Sequence, residues 1–129
     1  MFDWMKFVIL ALVLLNSDDE EYVRSGISRY YYGVFGIIRR YLINVKGKYY
    51  LKSQSSDVHK NIFIELQSSD DTTENEISDL FNKLRKVRNE ADYNAEVNIV
   101  HFKKFLKDYN KDLEIITDAI EYFKNHPNY

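Results

Sequence analysis

The chain has no cysteine, one proline and four glycines in 129 residues. Without cysteine there are no disulfides and no thiolate metal sites, and the usage fits an intracellular location. Proline and glycine are too scarce for a loop-rich or disordered chain, and hydrophobic residues make up 45% of it, so a compact helical domain is expected. No glycine-rich phosphate loop occurs, no stretch reads as a strand, and His59, His101 and His126 lack metal-ligand spacing, so neither a metal nor a cofactor is expected. The one long apolar run, Phe7 to Leu15, covers nine residues. That is too short to cross a bilayer, which takes roughly 20 residues as a helix. Asp3 sits where a secretion leader would be basic, and no small-residue cleavage site follows. The reading is a single cytoplasmic domain over residues 1–129, with no membrane association.

The net charge of −2 is unevenly spread. Residues 1–64 carry nine Lys/Arg against six Asp/Glu, and residues 65–129 carry nine against fourteen. Between Arg24 and Lys60 there are eight basic residues and one carboxylate, Asp57. Lys83, Arg85, Lys86 and Arg88 form a second basic cluster. An acidic chain is not a general nucleic-acid binder, but this distribution leaves room for a local basic groove.

Apolar periodicity divides the chain into about five helices, two of them long. In the first, Met5, Val8, Ile9, Leu12 and Leu15 are expected to face the core, and Phe7, Leu10, Ala11 and Leu14 a subunit interface. Ser17-Asp18-Asp19-Glu20 reads as a capping box opening a second helix from about Asp18 to Leu42. Its core stripe is Val23, Ile27, Tyr30, Val34, Ile38 and Tyr41. Arg24, Ser28, Tyr31 and Phe35 form a neighbouring line, and Tyr30-Tyr31-Tyr32 are expected to pack with exposed hydroxyls. Gly26, Gly33 and Gly36 each weaken a helix by about 1 kcal/mol relative to alanine, which points to close approach by another helix or a ligand. Residues 45–56 read as a solvated connection, although its alternating basic and aromatic residues also suit single-stranded RNA. Asp57 is expected to cap a short third helix ending near Gln67. Thr73-Glu74-Asn75-Glu76 reads as a second capping box, opening a fourth helix. After a polar break at residues 94–98, one long last helix is expected to reach about Asn125.

The fourth helix carries the most informative residues. Ile77, Leu80, Phe81, Leu84 and Ala91 lie three or four apart, and Arg88 falls on the same stripe. A guanidinium on the core-facing side of a helix needs carboxylates, hydroxyls or a phosphate to satisfy it. Asp92, one turn on, offers an ion pair. The alternative is an arginine held in a groove to meet phosphate. If the second and fourth helices pack together, Arg24, Ser28 and Tyr31 should lie near Arg88 and Asp92.

The order of these elements resembles a known family. Trp4 and the hydrophobic first helix precede Arg24-Ser25-Gly26-Ile27-Ser28-Arg29-Tyr30-Tyr31-Tyr32-Gly33-Val34-Phe35. His59 follows, then Leu84-Arg85-Lys86-Val87-Arg88-Asn89-Glu90-Ala91-Asp92-Tyr93. The pattern is similar to a small stand-alone HEPN domain and covers nearly the whole chain. It implies an up-and-down all-α bundle that dimerises and is often encoded beside a minimal nucleotidyltransferase, as the toxin of a toxin–antitoxin pair or in antiviral defence. Many such proteins are metal-independent RNases whose arginine is followed four to six residues later by a histidine, two copies facing each other across a dimer cleft.

Here the residues four to six positions after Arg88 are Asp92, Tyr93 and Asn94, with no histidine. The resemblance makes Arg88, Asp92 and Tyr93 the catalytic candidates, with Arg24, Ser28, Arg29, Tyr31, Arg85 and Asn89 as candidates for binding substrate. A tyrosine near its ordinary pKa of about 10 is a poor proton-transfer group at neutral pH. Two readings follow. One is an RNase or RNA-binding component acting at a homodimer cleft around Arg88. The other is a non-catalytic nucleotide-binding or scaffold subunit partnering a nucleotidyltransferase antitoxin, with Tyr93 as a possible acceptor of a nucleotidyl group.

Overall fold

The computed structural model describes residues 1–53 and 55–129. Among these residues there are six α-helices and no strand: α1 (Met5–Leu14), α2 (Glu20–Asn44), α3 (Val58–Gln67), α4 (Thr72–Tyr93), α5 (Ile99–Asp108) and α6 (Asn110–Lys124). The expected connection at 45–56 contains a 3₁₀ turn, Tyr49–Lys52, whose Leu51 is buried. Gln54 of that connection lies outside the described residues.

Helix α2 is the centre of the bundle and touches every other helix. All six residues of its expected stripe are buried, each contributing about 1.5–3 kcal/mol if aliphatic. The tyrosines depart from expectation: Tyr30 and Tyr31 are 3% and 0% exposed, so their hydroxyls lie inside. A 25-residue helix crossed by neighbours on several sides has too little solvent-facing surface to keep them out.

The glycines of α2 are explained by α1. A β-carbon at position 36 would sit 2.2 Å from the Trp4 ring, and one at position 33 would sit 2.7 Å from Val8. Close approach of the two backbones selects small or slim contacts, so the buried line of α1 is Val8 and Ala11. This corrects the expected faces: Ala11 is fully buried, whereas Ile9 and Leu12 are 59% and 53% exposed.

The expected last helix is two helices that meet at Tyr109, whose ψ of 18° departs from helical geometry. Phe102 of α5 packs with Val23, Ile27 and Ala91 in a small cluster, whereas Ile116, Ala119, Ile120 and Phe123 of α6 join the main core. The bend lets one continuous apolar face reach two separate clusters.

Helix starts also differ in detail. The α4 cap is Asp71, whose Oδ1 accepts from the Glu74 N–H at 2.9 Å. The Glu74 side chain turns inward instead of closing a capping box, meeting the Tyr41 hydroxyl at 3.2 Å and Lys46 at 3.3 Å. At α2, Ser17 Oγ accepts from the Asp19 N–H at 3.0 Å, and Asp19 makes no side-chain cap. Asp57 stands at the N-cap of α3, again without a side-chain cap bond.

Candidate functional site around Arg88

The buried face of α4 runs through Ile77, Phe81, Leu84, Arg88 and Ala91. Arg88 is therefore carried inward by the same periodicity as its apolar neighbours, and it is 6% exposed. Its guanidinium carbon lies 4.9 Å from the centroid of the Tyr31 ring and 5.2 Å from that of Tyr32. Cation–π contacts of this kind offset part of the desolvation cost. Arg88 Nη1 lies 3.6 Å from Asp92 Oδ2, an ion pair longer than the roughly 2.7–2.9 Å of a charge-assisted hydrogen bond. The same oxygen accepts from Ser28 Oγ at 3.3 Å. Arg88 Nε is buried and has no hydrogen-bond partner, and the Nε of half-buried Arg85 is in the same state. Native structures rarely leave such donors unpaired.

Tyr31 joins this arginine pair to α3. Its ring stacks on Phe81 at 5.3 Å and its hydroxyl is hydrogen-bonded to His59 Nδ1 at 2.5 Å. The imidazole in turn stacks on Phe35 at 4.5 Å. Burial, reinforced by the charges of Arg85, Arg88 and Arg39, brings the His59 pKa down to about 4. Burial also pushes the Tyr31 hydroxyl well above the ordinary tyrosine range, with Arg88 and Arg85 opposing it. Both groups are thus neutral near pH 7, sharing one proton between oxygen and ring nitrogen.

The structure gathers Ser28, Tyr31, Arg85, Arg88 and Asp92 from the residues singled out in the sequence. The others take different roles. Arg24 donates to the carbonyls of Ala91 at 2.9 Å, Glu90 at 3.3 Å and Val97. It clamps the C-terminal end of α4, where a cation also meets the negative end of the helix dipole. Arg29 is exposed and lies over the Phe7 ring at 4.8 Å, on the α1 side. Asn89 is exposed, and Tyr93 is 78% exposed beyond the cluster. His59, Tyr32 and Phe35 enter the site without having been assigned to it from the residues. Only the place of His59 in the family-like order hinted at the imidazole, because contacts across three helices leave no local spacing to read.

Among the described residues no group of three or more His, Cys, Asp or Glu side chains is placed to hold a metal ion. No helix among them is long and apolar enough to cross a membrane. No protein-family model, curated protein or solved structure matches the chain. What fold and site define is an all-α bundle with a buried, incompletely paired arginine, ringed by a second arginine, two tyrosines and a neutral histidine.

Proposed function

We propose that this chain is a HEPN-type component of a prokaryotic toxin–antitoxin or antiviral defence system, and that it binds RNA phosphate at the Arg88 cluster. The observation that carries the reading is the unpaired Nε of Arg88, in a guanidinium more than nine-tenths buried. A phosphate oxygen would satisfy it, and Arg85 adds a second positive charge and a second unpaired donor. If the protein cleaves RNA, the histidine absent after Arg88 has a substitute in His59, held by Tyr31. The ribose 2′-hydroxyl would lose its proton to the imidazole and attack phosphorus. The 5′-oxygen would leave, taking a proton from water and giving a 2′,3′-cyclic phosphate, and the imidazolium would return its proton to the resulting hydroxide, while the arginines stabilise the charge on the phosphorane.

The alternative reading, a nucleotide-binding or scaffold subunit of a nucleotidyltransferase, is favoured by the exposed Tyr93 hydroxyl at the end of α4. In either case we place the chain in a two-fold dimer, with the uncovered apolar face of α1 at the interface. The test is incubation of purified protein with end-labelled single-stranded RNA, for the unaltered chain, Arg88→Ala and His59→Asn. Binding lost in Arg88→Ala supports the Arg88 site, and cleavage lost in both variants supports catalysis. Binding without cleavage, together with nucleotidyl transfer to Tyr93 by a partner enzyme, supports the alternative. RNA binding that is unchanged in a folded Arg88→Ala protein overturns the role of Arg88.

A further inference from the structure

A cavity of about 460 Å³ opens between the N-terminal segment, α2 and the 3₁₀ turn. That lies within the roughly 300–1,000 Å³ typical of small-ligand sites. Its walls include the rings of Trp4, Tyr32 and Phe35, and its rim carries Arg39, Arg40 and Lys52. No carboxylate side chain lines it, and neither Arg39 nor Lys52 forms an ion pair among the described residues. We infer that this cavity is a nucleotide pocket, in which a base stacks on the aromatic walls and its phosphate meets the cationic rim.

The pocket is built in advance of any ligand. Gly36 lets the indole of Trp4 lie directly on α2, and the edges of Phe2 and Phe7 hold that ring at 5.0 and 5.5 Å. Arg39 is fixed by the carbonyls of Leu51 at 2.7 Å and Lys52 at 2.9 Å. Arg40 is held by the main-chain oxygen of Tyr129 at 2.9 Å and lies over the Tyr129 ring at 4.3 Å. Carbonyls orient the Arg39 guanidinium without neutralising it, so its charge remains directed at an anion. Aromatic faces beside uncompensated cations are the chemistry that recognises a nucleotide, free or within a single strand. Phe35 and Tyr32 wall the pocket and also contact His59 and Arg88, so a strand crossing the Arg88 cluster could seat a neighbouring base here. The inference goes beyond the Arg88 reading and does not rest on it.

Trp4 is the only tryptophan in the chain, so its emission reports occupancy directly. The experiment titrates the full chain with adenosine monophosphate and with a short 5′-phosphorylated oligoadenylate, using inorganic phosphate as the charge-only control. Saturable quenching by a nucleotide is expected, weakened about fivefold or more by Lys52→Ala and about tenfold or more by Tyr32→Leu. Tighter binding of the mononucleotide assigns the pocket to free nucleotide, and tighter binding of the oligonucleotide assigns it to a strand. The proposal is overturned if neither nucleotide quenches up to about 5 mM, if phosphate alone binds as well, or if both pocket variants bind like the unaltered chain. Repeating the titration on Arg88→Ala separates the two sites. Quenching that persists there belongs to the pocket. Quenching lost there but kept in both pocket variants overturns the inference.

Discussion

At the scale of single residues, the geometry separates two roles for Arg88. Its partner Asp92 keeps a quarter of its side chain in solvent and retains the Ser28 hydroxyl, so removing the guanidinium does not strand a buried anion. Arg88→Ala is therefore expected to cost about 1–2 kcal/mol, chiefly from the lost contacts with the Tyr31 and Tyr32 rings, not the 3–5 kcal/mol of breaking a fully buried pair. RNA binding should fall about tenfold or more with the loss of the charge-assisted contacts. Denaturant unfolding beside a binding titration checks this, and a protein that unfolds outright would return Arg88 to a structural role. His59 makes a second prediction, about pH. Its folded pKa of about 4 lies below the ordinary 6.5. Above the higher value both folded and unfolded states hold a neutral ring, so it contributes nothing. As pH falls from about 6.5 to about 4, the unfolded chain takes up the proton first, and stability is lost across that window. The unaltered chain should thus lose more stability on acidification than His59→Asn does. Parallel acid melting curves for the two proteins would remove His59 from its neutral, buried setting.

At the scale of elements, the α1–α2 contact turns on glycine. An alanine in place of glycine inside a helix ordinarily gains about 1 kcal/mol. At position 36 the added β-carbon would lie 2.2 Å from the Trp4 ring, which must then move. Gly36→Ala is expected to destabilise by about 1–3 kcal/mol, as overpacking does, and to shift Trp4 emission toward that of an exposed indole. A stabilised Gly36→Ala protein with unchanged emission would contradict the docking of α1. The same contact shows why the buried face of the first helix is not legible in its sequence. A run apolar nearly all round carries no period from which to choose its buried side, and the glycines of another helix make the choice. The division of the last helix at Tyr109 was hidden for a related reason. The apolar face from Phe102 to Phe123 is continuous in sequence, and only the existence of two separate core clusters breaks it.

At the scale of the whole molecule, an apolar surface on α1 remains uncovered among the described residues. Ile9, Leu10, Leu12 and Val13 of α1 are each between 44% and 67% exposed. Beside them lies a groove of about 550 Å³, reaching Leu113 and Ile120 of α6. Contiguous exposed apolar surface of this kind marks an association site. The proposed dimer therefore predicts a sedimentation mass twice the 15.5 kDa of the chain at micromolar concentration. Leu12→Lys should return it to the monomer with little change in monomer fold, since that side chain is more than half exposed. A strictly monomeric unaltered protein would remove support for a two-copy cleft around Arg88.

The sequence by itself determined the helical class, the buried faces of α2 and α4, and the inward position of Arg88. Each of these follows from a 3.6-residue period within one segment, and a single helix suffices to express it. It also marked Ser28, Tyr31 and Asp92 as neighbours of Arg88, because two amphipathic helices that bury their stripes together bring their flanking polar lines together. Tertiary structure alone decided that Arg24 clamps the end of α4, that Tyr93 stands in solvent, and that His59 meets Tyr31. It alone enclosed Trp4, Tyr32 and Phe35 with three cations in one cavity. These outcomes depend on contacts between residues 12 to 89 positions apart, and no local periodicity encodes which distant side chains the packing of six helices will set face to face.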